Sequence, residues 1–225
     1  MKPHGRKIKK QVRSILEKCT RTEAMAQFKK IPDAQLTGHL FSHFYHLDEL
    51  IKYRSVTAMG ELAVRISAHT MEKARIILRR IMWNLNDESG GIGWGSPEAM
   101  GEILSKSPQL SKEFKSILFS YLDHRGNHIE HEMLQRGVLW GIGTYLQAFP
   151  QDLTRTTAQQ IMAHLDSPDP VRRGFALRAL LNAGSLDQKR MPPHIKTDNH
   201  PIDIYTGWDL VHIPISKLAL PGHKA

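Results

Sequence analysis

Cysteine is almost missing from this chain: 225 residues hold one, Cys19. A lone thiol cannot close an internal disulfide, so a reduced, cytoplasmic protein is expected, held together by its core. No run of eighteen apolar residues occurs, and no membrane span is expected. The basic start is not followed by an apolar stretch, so a secretory signal is not expected either. A glycine-rich stretch is present, but no Gly-Lys-Ser/Thr follows it and no strand-like run precedes it. Neither a Walker loop nor a dinucleotide fingerprint is therefore indicated. Between Asp87 and Glu102 there is also no Lys or Arg, which argues against a phosphate cradle there.

The length suits one large domain or two small ones and allows a sizeable core. The net charge is +9, and it is unevenly spread. Residues 1–30 carry ten Lys/Arg against two Glu, whereas the rest carries twenty-one against twenty acids. A basic leading segment can steer toward nucleic acid, with Lys7, Lys9, Lys10 and Arg13 as candidates, joined by Arg79 and Arg80 further on.

Apolar residues recur at helical spacing through most of the chain. Ile8, Val12, Ile15 and Leu16 define a basic amphipathic helix over residues 6–20. Further helices are expected over 22–30, 33–46, 47–67, 69–85, 97–104, 109–122, 128–148, 152–165 and 170–182. Ser96 is the expected N-cap before Pro97, and Asn127 with Glu130 resembles a capping box for the helix from His128. Gly184 is a C-terminal cap candidate. The stretch 185–225 differs. Pro192, Pro193, Pro201 and Pro214 exclude long helices, and a Thr-Gly turn joins two β-prone runs into a hairpin over 202–213.

Several helices resemble one another. "VRRGFALRALL" at Val171–Leu181 aligns with "YRSVTAMGELA" at Tyr53–Ala63, placing Arg172 on Arg54, Ala176 on Ala58 and Leu180 on Leu62. "QRGVLWGIGTYL" at Gln135–Leu146 is a third copy, and "LRRIMWNL" at Leu78–Leu85 is a fainter fourth. On these residues the chain resembles HEAT-like repeats of the phycobilisome-lyase type, most clearly over residues 45–184. The resemblance implies an all-α solenoid of helix pairs over 1–184, with a short β appendage. It also implies that the repeated Arg pairs with an Asp in a preceding turn or a neighbouring repeat. Stacking makes physical sense, because one helix pair cannot bury its apolar face alone.

The most distinctive stretch is Gly90–Gly95, with Trp94 among the glycines. Glu98 and Glu102, spaced i, i+4, share a helix face just after it. Together with Glu88 and Trp94 they form a candidate site for a cation, a cationic partner or a small molecule. The chain has thirteen histidines. Those at His128 and His131 are where a metal would be sought, though no fuller ligand signature accompanies them. No cofactor is expected.

Solenoids usually recognise proteins, so the expected role is a non-catalytic scaffold or adaptor with a protein partner. Trp83, Trp94, Trp140 and Trp208 are the candidate anchors, with Trp94 the one expected to be exposed. The alternatives are nucleic-acid binding through the basic N-terminus, as in HEAT-like DNA-repair glycosylases, and a metal or small-molecule site at the Gly90–Gly95 loop.

Overall fold

The computed structural model describes residues 3–86, 93–187 and 189–219. These are mostly helical, with eleven α-helices and one two-stranded antiparallel sheet among the described residues. The helices are α1 (Pro3–Lys18), α2 (Arg21–Phe28), α3 (Asp33–Phe41), α4 (Glu49–Ser67), α5 (Met71–Asn86) and α6 (Ser96–Lys106). They continue with α7 (Pro108–Ser120), α8 (Glu132–Ala148), α9 (Arg155–Ala163), α10 (Pro170–Asn182) and the single turn α11 (Pro193–Lys196). The strands are β1 (Pro201–Thr206) and β2 (Asp209–Pro214). Among the described residues, no helix is long and apolar enough to cross a membrane.

The first helix follows its sequence pattern. Ile8, Val12, Ile15 and Leu16 are buried, while Lys7, Lys9, Lys10 and Arg13 are exposed on the other side. Four helices form a central row: α4 packs on α6, α6 on α8 and α8 on α10, and α1, α3, α5, α7 and α9 pack along this row. α6 is buried on all sides from Ser96 to Leu104. Aspartates cap two of the row helices. Asp48 accepts from the amides of Leu50 and Ile51 to open α4, and Asp169 accepts from Val171 N at 3.0 Å to open α10. Asp169 also receives a two-pronged contact from Arg136 of α8, at 2.6 and 3.0 Å, which ties one row helix to the next.

The closest crossing is between α6 and α8. A Cβ on Gly101 would lie 2.2 Å from the carbonyl oxygen of Gly141, and one on Gly141 would lie 2.4 Å from that of Pro97. Only glycine at both positions lets the two backbones approach this far.

Two local expectations are corrected. The N-cap of α6 is Gly95, in the left-handed region at φ 72°, and not Ser96, which is the first helical residue. A Cβ at Gly95 would come within 2.7 Å of Phe44, so this corner needs glycine for both angle and space. α8 begins at Glu132 and not at His128, and no capping box forms at Asn127. Asn127 donates instead to Ser120 Oγ, and the Ile129 amide bonds Tyr121 O, so tertiary bonds hold this segment outside the helix. Within the row, the helix between α4 and α8 is α6. The fainter repeat copy, in α5, packs beside α4 and α6.

The hairpin forms as expected, with Ile202 facing Ile213 and Thr206 facing Asp209. Its two-residue turn is Gly207-Trp208, one residue later than the expected Thr-Gly. Both residues have positive φ, at 64° and 103°. That angle costs about 1–3 kcal/mol in a residue such as Trp. Three contacts hold it: Trp208 Nε1 donates to Cys19 O at 2.9 Å, Arg54 Nε donates to Trp208 O at 2.9 Å, and the Arg54 guanidinium lies over the indole. At the other end, Ile202 seats where a Cβ on Gly174 of α10 would lie 2.0 Å from its Cδ1. The hairpin thus spans from α10 to the end of α1. Two strands alone would be only marginally stable, and this anchoring supplies the missing support.

Candidate functional site

Two cavities lie between the helical row and the hairpin. The larger, about 480 Å³, is lined by Thr57 of α4, Glu102 and Lys106 of α6, Trp140 and Thr144 of α8, Arg178 of α10 and Tyr205–Trp208 of the hairpin. Arg21 also contributes. The smaller, about 240 Å³, is lined by Glu49, Lys52 and Tyr53 of α4, Glu98 of α6, Met133 and Arg136 of α8, Val171 and Phe175 of α10, and Asp203 and Leu210 of the hairpin. Tyr53 lines one and Tyr205 the other. Their rings stack at 5.2 Å, with Tyr53 also 5.0 Å from Trp140, so this aromatic group forms the partition.

In the larger cavity, Arg178 is the unusual group. It is 4% exposed and sits within a run of small and apolar neighbours, Ala176, Leu177, Ala179 and Leu180. Its Nη atoms donate to Trp140 O at 3.2 Å and Thr144 Oγ1 at 3.3 Å, and the guanidinium lies over the Trp140 ring. Nε has no partner, and no carboxylate among the described residues is in ion-pair contact with the guanidinium, Glu102 acting on it only through its field. Burial pushes the guanidinium down to about 10, against the fields of Tyr53 and Glu102. The rim cations differ. Arg21 and Lys106 both reach Glu61 at 3.2 Å, and Lys106 also reaches Glu102 at 3.5 Å. Glu102 further accepts from Thr57 at 3.3 Å.

In the smaller cavity the odd group is an anion. Glu98, 4% exposed, stands 3.6 Å from Lys52, but Lys52 is held closer by Glu49, at 2.7 Å. Glu98 Oε2 has no partner. Its carboxylate fits against α8 because residue 137 is glycine, where a Cβ would lie 2.5 Å from Oε2. Burial raises the Glu98 pKa, with Lys52 opposing. A side recess of about 90 Å³ adjoins this cavity, sharing Glu49, Lys52, Glu98 and Met133 and adding Trp94 and His46.

The expected site is therefore divided. Trp94 and Glu98 come together at the recess, whereas Glu102 faces the larger cavity beyond the tyrosine partition. Glu88 and Gly90–Ile92 lie outside the described residues. Trp94 is partly buried, with an unpartnered Nε1; the exposed tryptophan is Trp83, at 63%. Trp140 and Trp208 are buried. Of the basic candidates, Arg13 pairs with Glu17 and Arg79 with Glu72, while Arg80 lies over the ring of Phe41.

His128 stacks on His124 at 3.8 Å and contacts Gln135 at 3.1 Å, while His131 serves as the N-cap of α8 without a side-chain cap bond. Among the described residues, no group of three or more His, Cys, Asp or Glu is placed to hold a metal.

Sequence reasoning missed Arg178 and Lys52. The available signal was a charge inside an otherwise apolar helix face, as in "ALRAL", which a repeat comparison reads as variation.

The histidine cluster makes a prediction about acid stability. His164 is partly buried, and Arg172 Nη2 donates to its Nδ1 at 3.0 Å, which a protonated ring could not accept. Burial, then Arg172, His128 and His124, bring its pKa from 6.5 down to about 4. Between those values the unfolded chain binds more protons, so stability is full above about pH 6.5 and falls as the pH drops toward 4. With partial solvent access discounted, the loss should be about 2 kcal/mol. Urea unfolding at stepped pH should show this slope in the wild type and a flatter one in His164→Gln. Equal slopes would remove His164 as the cause.

No protein-family model matches the chain, and no solved structure matches it. A protein of Archaeoglobus fulgidus, described as uncharacterised, is 25% identical over 180 residues, which cover 80% of this chain and 91% of that relative.

Proposed function

We propose that the protein is a HEAT-like helical-repeat scaffold that binds a small polar oxyanion, a phosphate or carboxylate, in the cavity beneath its hairpin. The observation that carries the reading is Arg178: a buried guanidinium with no carboxylate partner at the wall of a 480 Å³ cavity. An uncompensated buried charge costs several kcal/mol. An anion supplied by a ligand would compensate it, and the volume falls in the range of roughly 300–1,000 Å³ usual for small-molecule sites. Thr57, Thr144 and Glu102 would orient the ligand's hydroxyl groups. The repeat reading is supported by the row α4, α6, α8 and α10 and by the Arg136–Asp169 tie between successive row helices. A protein partner is less favoured on this face, because the hairpin already lies across it.

Calorimetric titration with inorganic phosphate, ribose 5-phosphate and citrate, with ribose as neutral control, tests the proposal. One oxyanion should bind saturably at one per chain, at least 30-fold more weakly in Arg178→Met and unchanged in Lys10→Ala. Binding insensitive to Arg178, or none by any of the three, would overturn it.

A further inference from the structure

The smaller cavity mirrors the larger one in charge. Its two cations are both committed: Lys52 to Glu49 at 2.7 Å and Arg136 to Asp169 at 2.6 Å. Asp203 is bonded to His212 at 2.8 Å. What remains is Glu98, more than nine-tenths buried: its Oε1 lies 3.6 Å from Lys52, its Oε2 has no partner, and the residue lines both the cavity and its side recess. The notch at Gly137 accommodates this carboxylate, so its position is built into the α6–α8 packing and is not an accident of a mobile side chain. The cavity is also lined by the apolar side chains of Val171, Phe175 and Leu210.

A buried carboxylate with one acceptor oxygen to spare, in a cavity also lined by apolar side chains, is complementary to a molecule that carries N–H donors and positive charge at one end and hydrocarbon at the other. We propose that this cavity binds a small organic cation, a primary ammonium on an apolar body, with the ammonium at Glu98 and the body against Val171 and Phe175. Paired as they are, Lys52 and Arg136 leave the lining net negative, so a cation is favoured there and an anion is not. The two cavities share no lining residue, so this site stands or falls independently of the oxyanion site.

The probe is n-butylammonium, with n-butanol and butyrate as neutral and anionic counterparts of the same shape. Titrated into the full chain, butylammonium should bind saturably at one per chain and the other two should not. Glu98→Gln should weaken binding tenfold or more, while Arg178→Met should leave it unchanged. Val171→Trp, which fills the cavity without touching the carboxylate, should also abolish it, so the result does not depend on one variant's folding. Butanol binding as well as butylammonium, equal affinity in Glu98→Gln, or no saturable butylammonium binding would each overturn the proposal.

Discussion

Gly101→Ala is expected to destabilise the protein by about 3 kcal/mol or more, at the upper end of what overpacking usually costs. The added methyl would lie 2.2 Å from Gly141 O and 2.5 Å from Gly141 Cα. Both are backbone atoms, so no rotamer change relieves the clash. α6 and α8 would have to separate, and the buried side chains between them, Met100 and Ile103 on one side and Val138 and Trp140 on the other, would lose contacts along the whole crossing. For a chain of this length such a loss lowers Tm by about 6–12 °C. Gly38→Ala is the control. It lies inside α3 with nothing within 4 Å of its would-be Cβ, and should gain up to about 1 kcal/mol from helix propensity alone. Thermal unfolding of both variants reads the two signs at once. A Gly101→Ala protein as stable as the wild type would mean that the α6–α8 approach is wider than described.

The same crossing explains what sequence could and could not reveal. Periodicity exposed α1 and α5 because each alternates a buried stripe with solvated charge, as Ile8, Val12 and Ile15 do among lysines. α6 was legible as a helix but not as a member of the central row. Its burial is nearly all-round, and it carries Glu98, Gly101 and Glu102 where its row neighbours carry arginine and apolar residues. A repeat comparison therefore favours α5, which packs beside the row. The start of α8 was misplaced for a different reason. Asn127 and Glu130 satisfy the local rule for a cap, but bonds from Asn127 back to Ser120 and from Ile129 back to Tyr121 tie this segment to the end of α7, and these decide the outcome.

The site was legible in fragments. Trp94, Glu98 and Glu102 were singled out, yet spacing places the two glutamates on one face without showing that tyrosines 53 and 205 come between their cavities. Their counterparts, Lys52 and Arg178, are distant in sequence. Only the packing of α4, α6 and α10 makes them neighbours of those acids.

Arg178→Met should make the protein more stable while removing its oxyanion site. Burial moves the guanidinium well down, to about 10, which corresponds to about 3 kcal/mol against the charged form in the folded state. Methionine has similar length and no charge to desolvate, and its sulfur can lie on the Trp140 ring that the guanidinium now covers. Against this stand the lost bonds to Trp140 O and Thr144 Oγ1, worth about 1 kcal/mol each. The net expectation is a gain of about 1 kcal/mol at pH 7, or about 2–4 °C in Tm. The sign has a second check. A cation whose folded-state pKa lies below its unfolded value holds its proton less tightly when folded, so its cost is relieved as the pH rises past about 10. The advantage of the methionine variant should therefore narrow in that range. If instead the variant loses 3 kcal/mol or more, Arg178 is a clamp between α8 and α10, its bonds suffice to hold the charge, and the case for a ligand anion falls with it. If it gains, a buried charge that the fold would be more stable without is retained at the wall of a cavity, as expected of a residue kept for what it binds.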